Sequence, residues 1–208
     1  MELKGGTFPE FIRRRFAGTR APDDFSPRRV LGDLPTGYLP KPPWKPASVL
    51  LPLVIHAEPT VLLTQRTESL ADHAGQVSFP GGGRENRDRD PVETALRETE
   101  EEIGLPRSHV EVVGYLRGYL TISGYAVTPV VGLVQPGFTL AADPLEVADI
   151  FEVPLGFLLD PSNRRVESRE LGGRDVGFYV FQYQERRIWG ATASMLVSFL
   201  DTLKAEMP

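Results

Sequence analysis

The chain contains no cysteine in its 208 residues. Disulfides, thiol nucleophiles and cysteine-ligated zinc sites are thereby excluded. Histidine is scarce: His56, His73 and His109 are the three. They are scattered without a pairing spacing, so each reads as a packing or surface residue, with His73 the one to follow. No run of about 18 apolar residues occurs, so nothing in the sequence reads as a helical membrane span. The N-terminus lacks the apolar region of a secretory signal, and a cytoplasmic location is the expected default. A positive charge excess is also missing. The formal net charge is −5, which argues against a broad nucleic-acid footprint but leaves room for a small anionic substrate beside local cations.

Hydrophobic residues make up 41% of the chain, ordinary for a globular protein. The length suits one domain with a sizeable core. Residues 1–46 read as a basic helix, Phe8 to Phe16 with Arg13, Arg14 and Arg15, followed by a proline-rich arm from Ala21 to Pro46. The helix is expected to dock on the domain; a phosphate or nucleic-acid patch is the alternative. The arm is expected to be irregular and stiff, lying on the domain or on a second copy, which makes a homodimer an open expectation.

Residues 47–208 alternate strands with two main helices. Ala47–His56 and Thr60–Arg66 are apolar runs around a short turn, and Val110–Thr121 and Tyr125–Val134 read as long strands around Ser123-Gly124. Phe151–Val153 is a short strand leading into a helical turn at Pro154–Leu159. Arg164–Leu171 and Val176–Tyr183 form a hairpin around Gly172-Gly173, Arg187–Trp189 adds a strand, and Ala191–Lys204 is a helix with an apolar face. This pattern predicts an α+β fold, a mixed sheet between helices.

The segment Asp90 to Ile103 carries the chemistry. Asp90 fits the N-cap, Pro91 the first helical position, and Glu93 the capping box; Gly104 fits the left-handed stop. Val92, Ala95, Leu96, Thr99 and Ile103 recur at helical spacing as a buried stripe. At roughly 100° per residue, Glu98, Glu101 and Glu102 fall together beside it. Like charges at these spacings cost about 0.2–0.5 kcal/mol per pair, and Arg97 offsets only part of this. Such a local conflict tends to mark a functional site. A divalent cation with oxygen ligands relieves it, and Mg²⁺ suits one or two carboxylates plus substrate phosphate. Upstream, Phe79-Pro80 leads into Gly81-Gly82-Gly83, read as a turn that lets backbone approach a ligand or metal.

Arg97, Glu98, Glu101, Glu102, Gly104 and Leu105 resemble the C-terminal half of the Nudix hydrolase box, Gly-x5-Glu-x7-Arg-Glu-U-x-Glu-Glu-x-Gly-U, where U is apolar. Thr99 stands where an apolar residue is usual. The other half departs: five residues after Gly82 stands Asp88 in place of Glu, and eight residues instead of seven separate it from Arg97. A second stretch is similar to the extra motif of the coenzyme A pyrophosphatases within that family. Leu62, Leu63, Thr64, Arg66, Gly75, Phe79, Pro80, Gly81 and Gly82 match it in register, Thr67 replaces Ser or Ala, and Ala71 replaces an Arg. Glu146 to Leu155 and Ile188 to Ala193 are similar to the same subfamily.

The resemblance implies an α/β/α sandwich and metal-dependent hydrolysis of a nucleoside diphosphate linkage. For coenzyme A or a derivative, the products are 3′,5′-ADP and 4′-phosphopantetheine. ADP-ribose or a dinucleotide polyphosphate is the alternative substrate, and a non-catalytic Nudix-fold nucleotide-binding protein the more distant one. It implies Mg²⁺ or Mn²⁺ held by Glu98, Glu101 and Glu102 with the carbonyl of Gly82, and Arg97 orienting a glutamate. Glu98, Glu101 or the loop residue Glu146 is the general base. Arg66, His73, Gly81 and Gly82 are the expected substrate-binding residues. Tyr119, Tyr125 and Phe157 read as core aromatics, with packing on a ligand the alternative.

Overall fold

The computed structural model describes residues 6–26, 38, 40–70 and 73–205. Two ten-residue strands form its centre: β2 (Lys45–Val54) runs parallel to β8 (Tyr125–Val134), paired from Lys45 opposite Tyr125 to Val54 opposite Val134. Both are buried on two faces, as the near-continuous apolar runs require. Side chains alternate: Leu50 and Val54 of β2 with Val130 and Val134 of β8 pack under helix α2 (Pro91–Ile103). Leu51, Leu53, Val131 and Leu133 pack on the opposite side, against helices α1 (Phe8–Phe16) and α4 (Gly190–Lys204). The result is the expected α/β/α sandwich.

β3 (Thr60–Arg66) joins β2 only at Leu53 and Val54, and pairs along its length with β9 (Val147–Pro154), which leads into the short helix α3 (Leu155–Leu159). The other end of the same β2 edge takes up β5 (Gly81–Gly83), opposite Ala47–Val49. The glycines expected to form a turn are therefore an extended strand. Only glycine fits at 81: its φ is +146°, and a Cβ there would lie 2.5 Å from the Val49 Cα. The two-residue β4 (Val77–Ser78) pairs with Thr64 and Gln65.

Val110–Thr121 is not one strand. It divides into β6 (Val110–Tyr115) and β7 (Gly118–Leu120), both against β8. Two glycines account for the break, because the N-terminal segment crosses here. A Cβ at Gly114 would meet the Phe16 carbonyl at 2.8 Å, and one at Gly118 the Asp24 carbonyl at 2.6 Å. Part of the expected irregular arm is ordered against them: β1 (Phe25–Ser26) runs parallel to Gly118–Tyr119, and Lys45 and Pro46 already belong to β2. The rest of the arm's centre, residues 27–37 and 39, lies outside the described residues.

Helix α1 docks firmly. Thr7 and Glu10 form a full capping box, Ile12 and Phe16 are buried, and Arg13 makes a bidentate pair with Glu111 at 2.7 and 2.8 Å. Beyond α3 a separate sheet follows: β10 (Arg164–Leu171), β11 (Arg174–Tyr183) and β12 (Arg186–Trp189). Gly172 and Gly173 both have positive φ, +56° and +76°, as a two-residue hairpin turn demands. Among the described residues no helix is long and apolar enough to cross a membrane.

Candidate active site

Helix α2 starts and stops where its residues dictate. The Asp90 side chain accepts from the Glu93 N–H at 3.0 Å, and Gly104 closes the helix at φ +66°. The capping box is half made, because the Glu93 carboxylate reaches Arg89 at 3.0 Å instead. The stripe is also broader than expected. Ala95, Thr99 and Ile103 are buried, and Val92 and Leu96 pack partly, but Thr94, Arg97 and Glu102 are buried too. Their cover is the loop 84–90 and strand β5.

Arg97 anchors that loop. Its Nε and Nη2 each donate to a different Asp88 oxygen at 2.9 Å, Nη2 also reaches the Gly83 carbonyl, and Nη1 donates to Glu98 and Glu101 at 2.9 Å each. Asp88 further accepts from the Glu85 N–H and the Thr94 hydroxyl. The guanidinium beside it, outweighing burial, holds the Asp88 carboxyl far below the usual carboxylate range. Arg84 donates to the Asp88 and Arg89 carbonyls, and Arg87 bridges Glu85 and Glu101. Arg84, Arg87 and Arg89, local cations of the sequence, thus brace the loop and the start of the helix. Sequence reading left Asp88 without a role; the signal was its carboxylate at near-family distance from Arg97. Despite the longer loop and the shorter side chain, both Asp88 oxygens reach Arg97.

The three glutamates of the helix meet different surroundings. Glu102 is 5% exposed; it accepts from the Gly81 N–H at 3.0 Å and lies 3.8 Å from Arg66 Nη1. Burial pushes its carboxyl up to about 7, against the Gly81 N–H and Arg66 and with help from Glu98 and Glu146. Burial also raises Glu98, with Arg97 opposing and Glu101 and Glu146 adding to the rise. Glu101 is half exposed and tied to Arg97 and Arg87. A Cβ at Gly82 would sit 2.5 Å from Glu98 Oε2, so glycine there leaves room for this carboxylate.

A cavity of about 760 Å³ opens beside these groups. Arg66, His73, Gly81, Gly82, Glu98, Glu102 and Glu146 all contribute to its wall; Arg97 and Glu101 stand behind it. Glu146 is exposed, in the loop before β9. His73 has positive φ and bonds Gln76 at 3.1 Å. Arg66 Nε is buried without a hydrogen-bond partner among the described residues. Tyr119 and Tyr125 line the cavity, whereas Phe157 packs edge-on against Tyr183. The second sheet adds Leu171, Val176, Phe178 and Trp189 to a mostly apolar wall that the sequence did not foretell. Ala71 lies outside the described residues.

The donor set is all oxygen. Glu98, Glu102 and Glu146 line one cavity closely enough for their charges to disfavour one another, which suits a hard divalent cation. Among the described residues no three acidic or imidazole side chains already gather as a metal cage, and Arg97 holds both Glu98 and Glu101.

Comparison with known proteins places this arrangement. Residues 44–153 match the NUDIX domain family. The chain is 45% identical over 150 residues to the uncharacterized Nudix hydrolase NudL of Photorhabdus laumondii, covering 72% of this chain and 80% of that protein. It is 38% identical over 182 residues to the protein of the same name from Pectobacterium atrosepticum, covering 84% and 90%. In structure it is similar to the MutT protein of Methanosarcina mazei Go1, with a TM-score of 0.50 at 18% identity over 79% of this chain and 97% of that one, a likeness of fold. The match spans β2, the glycine strand, the glutamate helix and nearly all of β9, and so the chain belongs to the Nudix family, hydrolases of pyrophosphate bonds in nucleoside diphosphate derivatives.

Proposed function

We propose that the chain hydrolyses the diphosphate of coenzyme A or a CoA derivative, releasing 3′,5′-ADP and 4′-phosphopantetheine. One observation carries this reading. Arg66, Phe79, Gly81 and Gly82, four residues of the stretch that resembles the coenzyme A pyrophosphatase motif, line the same cavity as Glu98 and Glu102. That cavity is large and mostly apolar, the character a pantetheine arm needs next to a phosphate-binding end.

Glu98 and Glu102, with the Gly82 carbonyl, are the groups that would hold Mg²⁺ or Mn²⁺, and Glu101, which shares Arg97 Nη1 with Glu98, is the third carboxylate beside them. When bound, the cation polarises phosphoryl oxygens and stabilises the charge that develops on them. Arg97 acts as a positioning residue, fixing Glu98 and Glu101 through its anchor on Asp88. Glu146 at the rim accepts the proton of the attacking water. The water oxygen bonds to one phosphorus, the bridging P–O bond breaks, and its electron pair leaves with the second phosphate. Arg66, a cation in the cavity wall beside Glu102, binds a diphosphate oxygen, and His73 borders the substrate.

The test is turnover of CoA, ADP-ribose and a dinucleotide polyphosphate side by side with Mg²⁺ and with Mn²⁺. CoA is expected to give the highest kcat/KM. ADP-ribose turning over far faster overturns the substrate assignment, and no turnover of any of the three, with nucleotide binding intact, favours a binding protein.

A further inference from the structure

The second sheet turns one face to the cavity. The register pairs Arg169 with Val176, Leu171 with Arg174, and Val180 with Trp189. Alternation along the strands then puts Arg169, Leu171, Val176, Phe178 and Trp189 on a single face, and all five line the cavity. This face is built. Phe178 and Trp189 pack at 5.8 Å between ring centroids, and Arg187 lies over both rings at 5.9 and 5.2 Å. The charge of Arg187 is matched by Glu167 at 2.6 Å.

Arg169 is different. Among the described residues its guanidinium has neither an ion pair nor a hydrogen-bond partner, its pairing with Val176 being of the backbone. Among the described residues three basic side chains line the cavity: Arg66, His73 and Arg169. Arg66 stands 3.8 Å from the Glu102 carboxylate, and His73 is bonded to Gln76. Among the described residues, Arg169 is therefore the uncommitted cation of this wall for a phosphate bound away from the glutamates.

We propose that Arg169 binds a phosphate monoester on the ribose of the substrate, remote from the diphosphate that is cleaved, with Phe178 and Trp189 bordering the same subsite. Resting on the CoA reading above, this makes Arg169 the residue that selects the 3′-phosphate. The cation comes from the C-terminal hairpin, whereas the resembled motif carries an arginine where this chain has Ala71. Guanidinium suits the task because it offers a planar pair of donors to phosphate oxygens.

The experiment compares kcat/KM for CoA and for 3′-dephospho-CoA in the wild type, Arg169→Ala and Arg169→Lys. The wild type is expected to prefer CoA. Arg169→Ala is expected to lower the ratio by about tenfold or more, through KM, and Arg169→Lys to restore part of it. A wild type without preference, an unchanged ratio in Arg169→Ala, or an equal fall for both substrates overturns the assignment. A wild type that hydrolyses neither compound refutes the CoA reading alone. Calorimetric binding of 3′,5′-ADP and 5′-AMP then decides on Arg169. A preference for 3′,5′-ADP lost in Arg169→Ala supports it; a preference that persists, or none in the wild type, overturns it.

Discussion

Asp88→Asn keeps the shape of one side chain and removes its charge at the point where loop 84–90 is tied to α2. The Asp88 and Arg97 side chains are 3% and 10% exposed, so this is a buried ion pair. Removing one partner of such a pair costs about 3–5 kcal/mol, because the other charge stays buried and uncompensated. Arg97 keeps Glu98, Glu101 and the Gly83 carbonyl, which points to the lower end, about 3 kcal/mol. For a chain of this length each kcal/mol moves the thermal midpoint by about 2–4 °C, so a fall of about 6–12 °C is expected. The pH dependence has a definite sign. The folded Asp88 carboxyl is held below its unfolded value, chiefly by Arg97. Its contribution is therefore complete above about pH 4 and is lost as pH falls toward the folded value. The gap between wild type and Asp88→Asn is expected to be constant from about pH 6 to 8 and to narrow below about pH 4. Circular-dichroism melts across this range measure it. A double-mutant cycle with Arg97→Gln is expected to show a coupling of about 1–3 kcal/mol. A midpoint shift under about 2 °C at neutral pH, or strictly additive mutants, refutes the anchoring role.

Three further outcomes are expected. In metal-free protein Glu102 titrates at about 7 when folded. Its share of stability is thus present below about pH 4.5 and lost as pH rises through about 7, a change of about 3 kcal/mol. Glu102→Gln removes that slope in melts with chelator and also removes the stabilisation by Mg²⁺; parallel curves for the two proteins sink the assignment. Gly82→Ala places a Cβ against the movable end of Glu98, while Gly81→Ala places one against the Val49 backbone. The first is expected to lower kcat with the fold kept, the second to destabilise by about 3 kcal/mol or more in urea unfolding; equal effects contradict the geometry. Phe16, 1% exposed, stacks on Phe199 at 6.0 Å. Phe16→Ala is expected to cost about 3–5 kcal/mol in urea unfolding, and a cost under about 1 kcal/mol contradicts a docked α1.

The elements read correctly from sequence are those whose signal is local. Phe8–Phe16, Thr60–Arg66 and Tyr125–Val134 carry their own periodicity and begin and end where it does. The misread ones depend on partners far along the chain. Gly81–Gly83 has no side chains and no strand propensity; it is a strand because β3, paired only at Leu53 and Val54, leaves most of the β2 edge open. The long strand expected at Val110–Thr121 breaks because Gly114 and Gly118 admit backbone arriving from residues 16–24. A glycine in a strand pattern does signal close backbone approach, but it does not say which backbone approaches.

The candidate site divides along the same line. Helical geometry suffices to group Glu98, Glu101 and Glu102 on one flank, since that follows from residue spacing alone. It does not say that Glu102 lies under the glycine strand while Glu101 remains half exposed, because burial of a helix flank is decided by what crosses it. Asp88 shows the limit most sharply. Measured as a spacing, it is one residue out of place and one methylene short. Measured in space, it makes both charge-assisted bonds to Arg97. Counting positions treats the two departures as losses, whereas in the folded chain the carboxylate meets the guanidinium and ties loop 84–90 to α2. A spacing rule records where a residue stands in the chain, not where the loop carries its side chain.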